Sequence, residues 1–394
     1  MMVTLIRGGQ LYTPEYQGKK DVLLTGEKIA YIDDNINLQS PSSQDGIVEE
    51  IDARGKFVVP GFIDGHVHLI GGGGEGGFAT RTPEIELSNI ITSGITTVIG
   101  CLGTDGITRE MKDLLAKARG LREEGISTYI LSGSYKVPVT TLTGEVQKDI
   151  VLVPEVLGVG EIALSDHRSF EPTISELKKL VAETRVAAML SGKKGIINVH
   201  MGDGVKMFQD IDRIIEETEL PGSHFVVTHG NRTQGLFNEG LELTQKGVFL
   251  DLTTSTVQKF IEDGEIKCSR ALKYFDDNGI TPDNVTFSSD GQGSLPNFSE
   301  SGDYLGLKVG GVESLYREVK EAVTEENVPL ENALRVITKN PASAYGLNNK
   351  GELTKGKDGD LILLDEDTLE IDTVISRGKT LIKNKEILQK GTFE

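Results

Sequence analysis

Short apolar runs rich in Val, Ile and Thr recur through the middle of the chain. They fall at FIDGHVHL (62–69), ITTVIGCL (95–102), STYILSG (127–133), VLGVGEIAL (156–164), GIINVHM (195–201), HFVVTH (224–229), GVFLDLT (247–253) and NVTFSSD (284–290). Runs of this length and composition, bounded by Gly and polar residues, predict strands. Between several of them, TREMKDLLAKARGLREEG and TISELKKLVAETRVAAMLSG place apolar residues three and four apart, the spacing of one buried helical face. Strands and helices alternating in units of roughly thirty residues predict a parallel sheet, and eight units predict closure into a (β/α)8 TIM barrel of the α/β class.

The flanks carry a different pattern. VTLIRGGQLY, DVLLTGEKIAYI and IVEEIDARG are strand-like pieces separated by Gly and polar turns, with no helical period between them. After the helix-like LENALRVITKN, residues 351–392 return to the same style. Neither end alone buries a face, so the two together predict one small β-sandwich built from both termini. The expected boundaries are 1–56 and 348–394 for the sandwich and 57–347 for the barrel.

Composition narrows the function classes. With 41 Lys+Arg against 60 Asp+Glu the formal charge is −19, and no Lys/Arg run supplies a local basic patch, which argues against a nucleic-acid partner. No stretch approaches the ~18 uninterrupted apolar residues of a membrane span, and MMVTLIRGGQLYTPE is broken by Arg, Gly and Pro before a signal core forms. No membrane partner is therefore expected. Two cysteines, Cys101 and Cys268, are too few for a disulfide framework; they read as buried apolar thiols of a cytoplasmic protein.

The histidines carry the chemistry. By chance, six histidines in this chain would give roughly 0.1 pairs spaced two apart, so His66-Val67-His68 calls for a reason. On a strand, residues two apart share a face, and both rings can reach one ion. His200 closes the fifth predicted strand, His229 the sixth and Asp290 the eighth, and a barrel brings strand C-termini onto one rim. Four His and one Asp exceed what one four-coordinate zinc with an open position needs. Two ions ~3.5–4 Å apart fit better and call for a bridging carboxylate. Glu161, among uncharged neighbours on the fourth strand, is the expected bridge, because an ionised carboxylate there is costly to bury without a cation. His167 and His224 read as structural. The loop GGGGEGG (71–77) lacks the Gly-Lys-Ser/Thr ending of a phosphate loop, and it places the Glu75 carboxylate where the main chain approaches a ligand closely.

IDARGKFVVPGFIDGHVHL resembles the entry to the first barrel strand of the amidohydrolase superfamily, and KGELTKGKDGDLILLD resembles its return into the small sandwich. Within that superfamily, HLIGGGGEGGFATRTPE, GCLGTDGITR, SGSYKVP, SDHR, THGNR and SSDGQGSLP are similar to isoaspartyl (β-aspartyl) dipeptidases. The resemblance implies hydrolysis of β-aspartyl dipeptides by a hydroxide bridging two divalent ions, with Zn2+ the ion these ligand types suit. It assigns His66, His68 and Asp290 to the more buried ion and His200 and His229 to the second. Glu75 and Thr104 would meet the substrate ammonium, with main-chain contacts from Gly73 and Gly74. Tyr135 would polarise the scissile carbonyl, Arg168, Arg232 and Ser294 would bind carboxylate, and Asp290 would accept and return the proton. Many relatives bridge their metals with a carbamylated lysine; here no Lys lies between Lys148 and Lys178. Glu161 takes that place and needs no carbon dioxide. The resemblance further implies a homo-oligomer, as large as an octamer. Two other readings stand beside it: a different amidohydrolase activity on a cyclic amide or an N-acyl amino acid, which would not need Glu75, Tyr135 and both arginines together, and a metal-free barrel kept as a binding or assembly module.

Overall fold

The computed structural model describes residues 3–38, 48–299 and 301–394. Among these, eight strands follow one another as β6 (Phe62–Val67), β7 (Ile95–Gly100), β8 (Ser127–Ser132), β9 (Val156–Leu164), β10 (Ile196–Met201), β11 (Phe225–Thr228), β12 (Phe249–Thr253) and β13 (Val285–Ser288). Each is paired in parallel with the next. A parallel bridge between Val67 and Gly291, with the Gly291 carbonyl accepting from His68 N at 2.9 Å, joins the last strand region to the first and closes the barrel. Strands covered on both faces read as continuous apolar runs rather than alternating ones, and this is why all eight were visible in the sequence.

The helices between them follow their apolar spacing. Met111–Glu124 buries Met111, Leu114, Ala118 and Leu121 and ends at Gly125, whose φ of 132° lies outside the range side chains prefer. Ile174–Ser191 opens on a reciprocal cap between Thr173 and Glu176 and stops at left-handed Gly192. LENALRVITKN divides into the short helices Leu330–Arg335 and Lys339–Tyr345. Among the described residues no helix is long and apolar enough to cross a membrane.

Five predicted strands run too long, those ending at Leu69, Leu102, Gly133, His229 and Asp290. β6, β11 and β13 stop at Val67, Thr228 and Ser288, leaving His68, His229 and Asp290 on the first residues of the following loops. His229 and Asp290 adopt φ of 69° and 53°, and the ladder cannot continue through such residues. Left-handed non-glycine residues at strand ends mark places where tertiary contacts hold a conformation against its local cost.

The ends of the chain form the second layer. β1 (Val3–Tyr12), β2 (Tyr16–Thr25), β3 (Lys28–Asp33), β4 (Val48–Asp52) and β5 (Lys56–Pro60) join β16 (Leu361–Asp365), β17 (Ile371–Ser376), β18 (Lys379–Lys383) and β19 (Glu386–Ile387) in one sheet. Ile47, at the head of IVEEIDARG, lies outside the described residues. β5 runs across the 56/57 boundary and pairs with β1 and β16 before Gly61. Alternation explains how this sheet serves two cores. Leu361 and Leu363 join Ile6, Val22, Leu24 and Val58 in the sandwich interior, whereas Ile362 and Leu364 join the barrel's core.

One buried charge fastens the connection back into β16. Lys350, 3% exposed at its side chain, donates to Asp360 Oδ2 at 2.5 Å and pairs with Asp358 at 2.9 Å, while Asp360 Oδ1 accepts from Arg377 N. Removing the cation strands the Asp360 carboxylate, 6% exposed, whereas Asp358 keeps Lys28 at 2.6 Å. Lys350→Ala is expected to cost about 3 kcal/mol of stability, read from denaturant midpoints at unchanged slope; a loss under about 1 kcal/mol would show the pair to be effectively solvated.

Candidate active site

The site is built on an irregularity in the β9–β10 ladder. Ile197 pairs with Val159 and Val199 with Ile162, so Gly160 and Glu161 together stand opposite Asn198. Such a bulge re-aims a side chain. Gly160 has φ of 153°, and a Cβ there would lie 2.7 Å from Asn198 Cβ, so glycine is required. Glu161, 1% exposed, consequently places Oε2 3.2 Å from His66 Nε2 and 3.1 Å from His200 Nδ1, and Oε1 3.7 Å from His68 Nε2.

The other predicted ligands sort to either side of it. On one flank, Asp290 Oδ1 lies 3.0 Å from His68 Nε2 and 3.8 Å from His66 Nε2. On the other, His229 Nε2 lies 3.0 Å from His200 Nδ1. Burial alone would raise the Glu161 carboxyl, but the His66 and His200 rings outweigh it and hold it well below the usual carboxylate range. His66 Nδ1 is buried without a hydrogen-bond partner. An ionised carboxylate bracketed by imidazole nitrogens in a dry barrel mouth is a donor set that divalent cations complete, and the residues present fit such ions. Grouped by reach, Glu161 with His200 and His229 forms one metal-competent cluster, and Glu161 with His66, His68 and Cys101 forms another.

Asp166 orients one of these rings. It lies on the loop after β9, and its Oδ2 is 3.1 Å from His200 Nε2, 2.9 Å from Arg168 Nη2 and 3.5 Å from Arg232 Nη1. A His200 that donates from Nε2 turns its Nδ1 lone pair toward Glu161 and His229. Tyr135, on the loop after β8, places its hydroxyl 2.9 Å from His200 Nδ1. Burial, reinforced by Glu161, holds that hydroxyl well above the ordinary tyrosine value, so it remains a proton donor.

A cavity of about 610 Å3 opens above this cluster. Its wall carries His68, Gly73, Glu75, Thr104, Tyr135, Glu161, Arg168, His200, His229, Arg232, Asp290 and Ser294. Of the predicted residues, His66 and Gly74 are absent from that wall. Glu75 Oε1 accepts from Thr104 Oγ1 at 2.9 Å and from Arg168 Nη1 at 3.4 Å. Gly73 and Gly74 have φ of 64° and 106°, and a Cβ on Gly73 would lie 2.7 Å from the Thr80 carbonyl. The polyglycine loop is pinned by buried Arg109, which donates to the carbonyls of Ile70 at 3.1 Å and Gly72 at 2.9 Å.

Several residues differ from the sequence reading. His224 is structural, its Nδ1 within 2.7 Å of the Gly195 carbonyl, but His167 is not: its side chain is 87% exposed and stands on the cavity wall beside Asp166. The loop after β9 folds back toward the mouth, and this carries His167 to the rim. Cys101 is buried in an apolar cluster, as read from the sequence, but its Sγ also meets His66 and His68. Its place at the end of the second predicted strand was the available signal. Asp166 was visible only as a letter of SDHR. A hairpin of β14 (Ser294–Phe298) and β15 (Tyr304–Val309), unanticipated from the sequence, adds Leu295, Pro296, Tyr304 and Leu307 to the wall.

Comparison with known proteins agrees with this architecture. The family model described as "Amidohydrolase family" matches residues 57–381. The structure aligns with the β-aspartyl dipeptidase of the thermophilic keratin-degrading Fervidobacterium islandicum AW-1, solved in complex with a β-Asp-Leu dipeptide. The TM-score is 0.89, with 45% identity over 98% of each chain. The dihydropyrimidinase of Brevibacillus agri NCHU1002 is similar in fold, with a TM-score of 0.67 and 17% identity over 99% of this chain and 97% of that one. A deacetylase of Agrobacterium fabrum is 23% identical over 92% of this chain and 82% of its own length. The matched region takes in every strand of the barrel and most of its return into the sandwich, and the chain belongs to the amidohydrolase family.

Proposed function

We propose that this protein is a metal-dependent hydrolase of β-aspartyl dipeptides, holding two divalent ions, Zn2+ by ligand type, in the barrel mouth. The observation that carries the reading is Glu161 bracketed by two sets of histidines beneath a cavity whose wall bears Glu75, Arg168 and Arg232. The likeness to a dipeptidase solved with β-Asp-Leu supports the substrate class. His66, His68 and Asp290 would hold one ion, His200 and His229 the other, with Glu161 between them. When bound, the ions supply a water acidic enough to lose its proton near neutral pH.

The protein's own groups do the rest. Glu75, braced by Thr104 and Arg168, receives the substrate ammonium, and the main chain at Gly73 and Gly74 comes close because neither carries a side chain. Arg168, Arg232 and Ser294 take carboxylate, for which the planar guanidinium fork is suited. Tyr135 donates to the scissile carbonyl oxygen as charge develops there. Asp290 accepts the nucleophile's proton and returns it to the leaving amine. Fixing ammonium and carboxylate at two points selects the β-linked backbone, whose extra methylene displaces the amide relative to an α-peptide. Two buried, unpaired thiols fit a cytoplasmic setting, and the family resemblance adds a homo-oligomer, measurable by light scattering.

The test is a screen of β- and α-aspartyl dipeptides with and without chelator. β-Asp-Leu should be turned over at least about 10²-fold faster than α-Asp-Leu, and a chelator should stop it. Equal turnover of the two would refute the selectivity. Turnover of a cyclic amide or an N-acyl amino acid without any of β-Asp-Leu would replace the assignment.

A further inference from the structure

Cys101 follows β7 directly, is 1% exposed and belongs to an apolar cluster with Ile63, Ile99 and Leu131, yet its sulfur faces two imidazoles. Its Sγ lies 3.5 Å from His66 Nε2, the nitrogen that faces Glu161, and 3.8 Å from His68 Nδ1. One ligand atom from each of His66, His68, Cys101 and Glu161 falls within 4.8 Å of every other. A tetrahedral zinc with Zn–S of about 2.3 Å and Zn–N of about 2.0 Å spaces sulfur and nitrogen roughly 3.6 Å apart, close to the His66–Cys101 separation.

A thiol donating to an imidazole would have a similar length. Once an ion is present the His66 Nε2 lone pair is committed to it, and the thiol's remaining polar neighbours, His68 Nδ1 at 3.8 Å and the Val67 carbonyl at 3.9 Å, both lie farther off than His66. Charge points the same way. Glu161 and Asp290 supply two negative charges against the four of two dications, and a thiolate reduces the excess in a place where uncompensated charge is costly.

We propose that Cys101 is a sulfur ligand of the buried ion, making that site a mixed nitrogen, oxygen and sulfur site. The inference rests on the metal-dependent reading above. Binding releases the thiol proton to solvent as the metal–sulfur bond forms. Sulfur ligation selects thiophilic ions, so the buried site should favour Zn2+, Co2+ and Cd2+ over Mn2+ more strongly than a nitrogen and oxygen set would.

The experiment uses the full chain reconstituted with Co2+. The wild type and Cys268→Ser should show a near-ultraviolet thiolate-to-cobalt charge-transfer band. Cys101→Ser and Cys101→Ala should lose it while keeping visible cobalt absorption, and Cys101→Ser should lose at least tenfold in its preference for Cd2+ over Mn2+. A cobalt-loaded wild type without the band, or a Cys101 variant that keeps it, overturns the proposal. The wild-type spectrum decides even where a variant does not fold. Turnover of β-Asp-Leu in the same sample separates the two readings: activity without the band refutes only the ligation, and the band without activity refutes only the dipeptidase assignment.

Discussion

Glu161→Ala should leave a folded barrel that has lost bound metal and at least about 10³-fold of its turnover of β-Asp-Leu. The carboxylate stands between His66 and His200 at 3.2 and 3.1 Å, and it is the one acidic side chain within reach of both flanks of the cluster among the described residues. Without it, two cations would face each other across a buried gap with nothing negative between them, and at least one should leave. Glu161→Gln keeps the shape but removes the charge, so it should resemble the alanine variant in metal content. A second consequence concerns carbon dioxide. A lysine bridge must be carbamylated before it can hold metal; a glutamate needs no such step. Wild-type protein reconstituted in carbonate-free buffer should therefore recover as much metal and activity as with added bicarbonate. Full metal content and unchanged activity in Glu161→Ala would remove the bridge from the account, as would a strict requirement for bicarbonate.

The barrel was readable because its strands are buried on both faces and its helices on one, so each kind of element leaves its own spacing of apolar residues. The His66-Val67-His68 pattern was readable for a related reason: a two-residue period has one structural meaning on a strand. Other parts were not legible. The end of a strand is a change of backbone angle, and THG and SSDG carry no letter that announces φ of 69° at His229 or 53° at Asp290. Cys101 sits in an apolar run, where a thiol's composition is indistinguishable from a packing residue's; only the fold brings it to His66. Asp166 depends on three partners, two of them 34 and 66 positions away in the chain. The β14–β15 hairpin escaped because SLPNF is interrupted by Pro and is half-exposed throughout, so no alternation of buried and exposed positions is written into it. The bulge at Gly160 and Glu161 is the intermediate case: the charge at an apolar position was visible, whereas the extra residue that aims it shows only in the register of the strand ladder.

Tyr135→Phe should lower kcat by about 10²- to 10³-fold while KM and metal content stay near wild type. The ring is 4% exposed, and its main-chain carbonyl accepts from Ala163 N at 3.1 Å, which ties the loop after β8 to the strand that carries the Glu161 bulge. That anchoring fixes where the hydroxyl points before substrate arrives, and a donor held in place costs no reorganisation as the carbonyl oxygen gains charge. Phenylalanine keeps the packing and removes only the O–H, so what is lost should be an interaction made in the transition state and absent from ground-state binding. The pH dependence makes a further distinction. Burial, the largest influence on the hydroxyl, raises its pKa above the ordinary value against the opposing pull of Arg168, so the tyrosine adds no limb of its own near neutral pH. The wild-type and Tyr135→Phe profiles of log kcat should then run parallel, displaced vertically with no limb gained or lost. A rise in KM at constant kcat would make Tyr135 a binding group, and loss of metal in the variant would make it a support for His200; either result would take the carbonyl-polarising role away from it.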